Sequence, residues 1–81
     1  MSASHKSEIE TYVIQRVKAF RERDNLSQSE LATLLEVSNG FIGQAESSNY
    51  PTKYNLNHLN KLALIFKCSL KDFMPDKPYN E

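Results

Sequence analysis

The sequence predicts an all-α fold: one compact domain of five short helices. Apolar residues recur every three or four positions in successive segments, which is the spacing of a helix with one buried face. Short polar residues that favour helix N-termini precede several of these segments. The length of 81 residues allows one domain, and such a small domain buries only about 60% of its unfolded surface.

The first helix is predicted from Glu8 to Asp24. Asp24 and Asn25 favour a turn after it, and Leu26 then brings the chain back to the core. The expected apolar stripe of this helix is Ile9, Tyr12, Val13, Val17 and Phe20.

A capping box predicts the start of the second helix. Ser27 and Glu30 have the spacing at which each side chain accepts a hydrogen bond from the backbone amide of the other. The helix is about two turns long, and Ala32 offers a small side chain where another helix can come close. Its expected inward residues are Leu31, Leu34 and Leu35.

A third short helix follows after three or four residues, which makes the pair a helix-turn-helix. Ser38 is the predicted cap, and the helix is expected from Asn39 to Glu46 or Ser47 with Ile42 and Ala45 facing inward.

The last third of the chain predicts a loop and two more helices. Pro51 disfavours helix at the residue before it, so residues 48–54 are expected to form a loop. Asn55 and Ser69 are the predicted caps of helices four and five. The apolar face expected for helix four comprises Leu56, Leu59, Leu62, Ala63, Ile65 and Phe66, and helix five carries Leu70, Phe73 and Met74. We expect the domain to span residues 7–75, with flexible termini at 1–6 and 76–81.

Composition argues against several classes of function. Cys68 is the single cysteine, and His5 and His58 lie far apart, so neither a disulfide nor a metal cluster is expected. No nucleophile, base and orienting group can be assembled, which predicts a protein that is not an enzyme and needs no cofactor or small-molecule ligand. With no apolar run of roughly 20 residues and no secretory signal, we expect a cytoplasmic protein that does not span a membrane.

Three segments resemble the signature of the Cro/cI (XRE-like) family of phage-repressor-type helix-turn-helix proteins. They are residues 26–32, Val37 with Ser38, and residues 42–46, and the resemblance extends over about residues 14 to 74. It implies a five-helix, lambda-repressor-like domain whose second helix crosses the DNA backbone and whose third helix enters the major groove. The implied function is that of a sequence-specific transcription regulator, repressor-like, acting on double-stranded DNA.

The third helix carries the candidate base-reading surface. On a helical wheel Asn39, Gly40, Gly43, Gln44 and Ser47 fall within an arc of about 140°, opposite the inward residues. The amides of Gln44 and Asn39 can each pair with adenine N6 and N7, although such residues can also be merely solvated. The two glycines each cost about 1 kcal/mol in a helix, which either permits closer approach to a groove or is simply tolerated.

Other residues are expected to contact the DNA backbone or to hold the helices together. The resemblance implies phosphate contacts from Ser27 and Gln28, and an ion pair between Arg21 and Glu46 that joins the first helix to the third. Phe41 lies between the inward and outward arcs, where it covers the core edge or offers its ring to DNA, and Tyr50 and Tyr54 either approach phosphate or pack the loop. The expected backbone set is Ser27, Gln28, Ser38, Phe41, Ser47 and Lys53.

The charge of the chain is the main argument against a nucleic-acid partner. Ten basic residues balance ten acidic ones, and residues 26–52 contain no Lys or Arg. Phosphate contacts there would have to come from hydroxyls and amides, so we expect binding with a shallow salt dependence. The alternative is a helix-turn-helix module for protein contact, antitoxin-like or antirepressor-like, with little DNA affinity.

A homodimer is expected, because one such domain covers only a half-site. The candidate dimer residues are Leu70, Phe73, Met74 and Tyr79, which can equally cover the core of the monomer.

Overall fold

The computed structural model describes residues 6–80, and the regular secondary structure in this range is entirely helical. The helices are α1 (Glu8–Arg23), α2 (Gln28–Leu35), α3 (Phe41–Glu46) and α4 (Leu56–Phe66), followed by a 3-10 helix at Leu70–Phe73. The predicted all-α architecture is therefore confirmed, but the fifth helix is one 3-10 turn rather than an α-helix. The predicted flexibility of residues 1–5 and 81 lies outside the described residues.

Capping boxes define most of the helix starts. The predicted caps Ser27, Asn55 and Ser69 each accept a hydrogen bond from a backbone amide two or three residues ahead, and Ser7 does the same for α1. The prediction for Ser38 was wrong: α3 begins only after Gly40, with no side-chain cap. Ser38 instead accepts from the Phe41 amide through its backbone carbonyl at 3.0 Å, because the chain makes a turn there before the helix starts.

The core lies between α1, α2 and α4, with α3 packed on α1 and α2. Phe20 packs against this core: its ring stacks on Phe66 at 5.5 Å between ring centroids and meets Phe73 edge-on at 5.6 Å. Burial of such rings supplies much of the apolar stabilisation of a domain this small. The core cluster comprises Val13, Val17, Leu31, Ala32, Leu35, Ile42, Leu59, Leu62, Ala63, Phe66 and Phe73.

The buried faces of α1 and α2 are rotated from their predicted positions. In α2 the buried residues are Leu31, Ala32 and Leu35, so the predicted core residue Leu34 falls outside this arc and is 46% exposed. In α1 burial of Ile14, which the sequence analysis missed, moves the face away from Ile9, which is exposed.

One prediction for the C-terminal half also fails, and one open alternative is decided. Leu56 is 80% exposed, because it is the first residue of α4 and lies where the loop enters the helix. Phe73, a candidate dimer residue, is fully buried, and Met74 packs against the core, so these two side chains complete the monomer. No helix within residues 6–80 is long and apolar enough to cross a membrane.

Candidate nucleic-acid interface

The turn between α2 and α3 sets the angle of the candidate reading segment. Glu36 adopts a left-handed conformation with φ of 64°, and its amide and that of Val37 donate to the last carbonyls of α2. Such a pair of hydrogen bonds is common where a helix ends at a residue in the left-handed conformation. Lys61 of α4 forms an ion pair with the Glu36 carboxylate at 2.5 Å, so the turn is also tied to α4.

The inner and outer sides of α3 are sharply different. Ile42 and Ala45 are fully buried, whereas Asn39, Gly40 and Gln44 are exposed. Gly43 and Ser47, which were expected on the same outer arc, are only partly exposed. Asn39 and Gly40 belong to the turn before α3 rather than to the helix itself.

Both candidate reading amides are hydrogen-bonded to neighbouring segments. The Ser29 hydroxyl of α2 donates to Asn39 Oδ1 at 2.5 Å, and the Thr52 hydroxyl in the following loop donates to Gln44 Oε1 at 3.2 Å. Each amide is therefore in contact with a residue outside the turn and α3.

Gln28 fills the space next to Gly43. Its Nε2 donates to Glu46 Oε1 at 3.0 Å, and a Cβ built on Gly43 would lie 3.0 Å from Gln28 Oε1. The missing side chain of Gly43 thus makes room for Gln28. At Gly40 the space is open, since a Cβ there would meet only Gln44 Nε2, at 3.9 Å.

Arg21 and Glu46 form the ion pair that the family resemblance implied. The Arg21 Nε and Nη2 atoms lie 2.8 and 2.9 Å from the two carboxylate oxygens, and Nη1 donates to the Leu26 carbonyl at 2.8 Å. The two side chains are 11% and 4% exposed, and the hydrogen bond to Glu46 raises the pKa of Arg21. The pair fastens the end of α3 to α1 and reads no sequence itself.

The Phe41 and Tyr54 rings are partly buried and pack against the core. The Phe41 ring packs against the core and lies 6.0 Å from Tyr54 and 5.1 Å from His58. The Tyr54 hydroxyl is buried and has no hydrogen-bond partner within the described part of the chain. Burial raises the pKa of Tyr54, and the nearby Glu46 carboxylate adds to the rise. Tyr50, by contrast, is 46% exposed.

The remaining predicted backbone residues line the rim of this surface. Ser27 and Ser38 are exposed, and the Ser47 hydroxyl accepts from the Asn49 amide at 3.2 Å. Lys53 is exposed, but its ammonium lies 2.8 Å from the Glu10 carboxylate. This contact lowers the pKa of Glu10. The one cation of the predicted set is thus already paired.

Lys6 is a contributor that the sequence analysis missed. Its ammonium donates to the carbonyls of Ala45 at 2.7 Å and Ser47 at 2.5 Å, at the C-terminus of α3. Burial lowers the pKa of Lys6. A cation at this end of a helix opposes the partial negative charge of the free carbonyls. No sequence pattern predicts this contact, because about 40 residues separate the partners along the chain.

Residues 6–80 contain no group of three or more His, Cys, Asp and Glu side chains placed to hold a metal ion. Cys68 is a partly buried thiol in this range, and burial raises its pKa.

Solved structures include several with the same fold. The restriction-modification controller protein C.AhdI from Aeromonas hydrophila is 23% identical over 79% of this chain and 94% of its own, with a TM-score of 0.66. The P22 c2 repressor, solved in complex with a synthetic operator, is 26% identical over 80% of this chain and 96% of its own, with a TM-score of 0.64. No curated protein matches the chain.

Hydroxypropylphosphonic acid epoxidase from S. wedmorenis contains a similar domain. It is 19% identical with a TM-score of 0.75, over 93% of this chain but only 39% of the epoxidase. This likeness concerns the fold alone. The helix-turn-helix family matches residues 17–73, which is most of the chain. The protein therefore belongs to the helix-turn-helix family, of the Cro/cI (XRE) type that its sequence resembles.

Proposed function

We propose that the protein is a sequence-specific, DNA-binding transcription regulator of the repressor type, and not an enzyme, with α3 reading the major groove. One observation carries the proposal: α3 buries Ile42 and Ala45 completely, while Gln44 on its other side stays exposed, as do Asn39 and Gly40 in the turn before it. A small polar surface on a helix held in this way suits the edges of base pairs. The similarity to the P22 c2 repressor, which was solved on an operator, supports the same function.

The rim of this surface would position the domain on the duplex. Hydroxyls of Ser27, Ser38 and Ser47 can donate to phosphate oxygens, as can the free amides at the start of α2. Gln28 is less available, since its amide nitrogen already donates to Glu46. Lys53 reaches phosphate only by leaving or sharing its contact with Glu10.

A homodimer would place two such domains on half-sites about 34 Å apart, one turn of DNA. Of the predicted dimer residues, Leu70 and Tyr79 remain exposed, at 45% and 39%. We propose that these two side chains contribute to the dimer contact, since a second copy of the chain would cover apolar surface that the monomer leaves open.

The proposal is tested by selecting bound duplexes from a random DNA pool at low salt, followed by gel-shift titration. We expect an enriched sequence, and Gln44→Ala should weaken binding to it by about tenfold, because a base contact is lost. Gln15, an exposed glutamine on α1, provides the matched control, and Gln15→Ala should bind as the wild type does. Failure to enrich any sequence, with no shift in dilute buffer, would rule the function out.

A protein-interaction module is the second candidate. It is favoured by the lack of Lys and Arg in residues 26–52 and by the pairing of Lys53 with Glu10. A heparin column at low salt separates the two functions, because a DNA-binding protein should be retained and a module directed only at proteins should not.

A further inference from the structure

We infer that Glu10 limits the affinity of the protein for DNA, because its carboxylate competes with a backbone phosphate for the ammonium of Lys53. The inference rests on the proposed function and names a residue that limits affinity at the same site. Glu10 acts through Lys53 and need not touch the duplex itself. A change that removes only the negative charge of Glu10 should therefore tighten binding.

Lys53 lies next to the candidate reading surface. The residue before it, Thr52, forms a hydrogen bond with the exposed Gln44 side chain at 3.2 Å, so the loop that carries Lys53 is joined to α3. Residues 26–52 contain no Lys or Arg, which makes Lys53 the first cation after α3 along the chain. Its side chain is 47% exposed, so the ammonium can reach an anion in the solvent.

Two other cations near α3 already stabilise the fold. Arg21 binds the Glu46 carboxylate and is only 11% exposed, and Lys6 donates to carbonyls at the C-terminus of α3. Both contacts support this helix, so release of either cation to a phosphate would destabilise the reading surface. Lys53 can be released without this loss, since its carboxylate partner lies on α1 and not on α3.

The Glu10 carboxylate is held in place through its other oxygen. Its Oε1 atom accepts from the Ser7 amide at 2.9 Å, and the Ser7 hydroxyl accepts from the Glu10 amide at 3.2 Å, which completes a capping box. Its Oε2 atom lies 2.8 Å from the Lys53 ammonium. Because the capping box keeps the carboxylate at the N-terminus of α1, the flexible lysine side chain is the partner that moves when phosphate binds.

Phosphate and carboxylate compete for Lys53 through their charges. The contact with Lys53 lowers the pKa of Glu10, so the carboxylate is ionised at neutral pH when DNA approaches. A phosphate that binds the ammonium either displaces this carboxylate or takes a place a few ångströms from a second negative charge. Both arrangements weaken binding. The effect is limited, since the two side chains are 47% and 31% exposed and exposed ion pairs are weak.

The test compares variants in titrations of the duplex that the full wild-type chain selects at low salt. Glu10→Gln removes the charge but keeps an oxygen for the Ser7 amide, because glutamine also forms capping boxes. We expect tighter binding by about threefold for each protomer, or about tenfold for a dimer. Unchanged or weaker binding of Glu10→Gln, while the wild type binds its duplex, would overturn the inference and leave the proposed function in place.

Glu22 provides the matched control. It is an exposed glutamate on the same helix, so Glu22→Gln changes the net charge by the same amount without removing the partner of Lys53. We expect Glu22→Gln to bind as the wild type does. Equal gains of affinity in Glu10→Gln and Glu22→Gln would overturn the inference, because net charge alone would then account for both.

A double-mutant cycle shows whether the effect passes through Lys53. In a Lys53→Gln background the ammonium is gone, so Glu10→Gln should change the affinity by less than about twofold. A gain in this background as large as the gain in the wild-type background would contradict the inference, since Glu10 would then act on the DNA without Lys53.

Nuclear magnetic resonance tests the wild-type protein without relying on any variant to fold. In the complex, the Lys53 ammonium nitrogen should couple to the phosphorus of a backbone phosphate, and the carboxyl carbon signal of Glu10 should move from its position in the free protein. Either an absent coupling or an unchanged Glu10 signal would overturn the inference. If no duplex binds the wild type or Glu10→Gln, the proposed function fails first and the inference fails with it.

Discussion

Glu46 accepts hydrogen bonds from two other elements of the domain. Its Oε2 atom accepts from Arg21 Nε, and its Oε1 atom accepts from Arg21 Nη2 and from Gln28 Nε2. The carboxylate lies at the last residue of α3, so it fixes that helix relative to both α1 and the start of α2. Loss of its charge leaves the Arg21 guanidinium with little solvent to replace it, since the Arg21 side chain is 11% exposed.

We therefore expect Glu46→Gln to lower the free energy of unfolding by roughly 3 kcal/mol, measured by urea denaturation. Operator binding should weaken with it, because α3 loses its support. Glu36→Gln is the matched control: its ion pair with Lys61 is exposed, and stability should hardly change. A Glu46→Gln protein that melts normally but no longer binds would show instead that Glu46 contacts the ligand directly.

Prediction from the sequence succeeded for residues whose position follows from burial. Ile42 and Ala45 had to face inward, and the helical period then placed Gln44 outward. The bond from Gln28 to Glu46 was not predictable in the same way, because an exposed glutamine and a bonded one have the same sequence pattern. Helical periodicity constrains which side a residue faces, whereas a polar contact also depends on the distance to the next element.

At the scale of elements, α3 depends on its neighbours for its existence. It has six residues, one of them glycine, and such a segment does not form a helix alone in water. Its place in the fold was predictable because the apolar pair needs a core. Its start was not, because Ser38, Asn39 and Gly40 suit a turn as well as a helix N-terminus.

Lys6 stabilises the C-terminal end of α3, so substitution of Lys6 should destabilise that end. Lys6→Met keeps the aliphatic chain but removes the donors to the Ala45 and Ser47 carbonyls. We expect faster amide hydrogen exchange in α3 and about fivefold weaker operator binding, which corresponds to about 1 kcal/mol for a cation at a helix C-terminus.

Lys6→Arg should restore most of both properties, because the guanidinium also donates to carbonyls. Lys71, an exposed lysine at the 3-10 helix, gives the matched control Lys71→Met, which should behave as the wild type does. Equal losses of operator affinity in Lys6→Met and Lys71→Met would show that the affinity depends on net charge and not on the contact between Lys6 and α3.

The cap of α4 is predicted to respond to pH through His58. The Asn55 amide donates to His58 Nδ1 at 3.1 Å, which requires that nitrogen to be unprotonated. Burial lowers the pKa of His58 from 6.5, so the unfolded chain takes up the proton first as the pH falls. The stability contribution is therefore complete above pH 6.5 and is lost as the pH falls through the folded-state pKa.

The measurement is the thermal midpoint between pH 7.5 and 5. Wild type should lose stability over this range, whereas His58→Gln should lose less, because glutamine preserves the capping box without titrating. Identical pH profiles for the two proteins would exclude His58 as the responsible group.

At the scale of the whole molecule, several of the charges are paired within the domain. Net charge was evident from the sequence, but the pairing was not, since it depends on which side chains the fold brings together. Arg21, Arg23, Lys53 and Lys61 each form an ion pair, and two of these pairs link the candidate surface to the rest of the domain. The pairs are Arg21 with Glu46, Arg23 with Asp24, Lys53 with Glu10 and Lys61 with Glu36.

This arrangement predicts a shallow salt dependence of DNA binding. The logarithm of the binding constant falls with the logarithm of salt concentration in proportion to the phosphates neutralised by cations. If each protomer of a dimer contributes only Lys53, affinity should fall by about tenfold between 50 and 200 mM salt, against about a thousandfold or more for six or more such contacts. Titrations of the selected duplex at four or five salt concentrations give the slope.

Two variants show which cation sets that slope. Lys53→Gln should flatten it by about one per protomer, whereas Ser38→Lys, which adds a cation at an exposed rim position, should steepen it by a similar amount. A steep wild-type slope that Lys53→Gln leaves unchanged would mean that other cations, now held in ion pairs within the domain, exchange their carboxylates for phosphate on binding. The neutral surface of the free protein would then be a poor guide to the charge it presents to DNA.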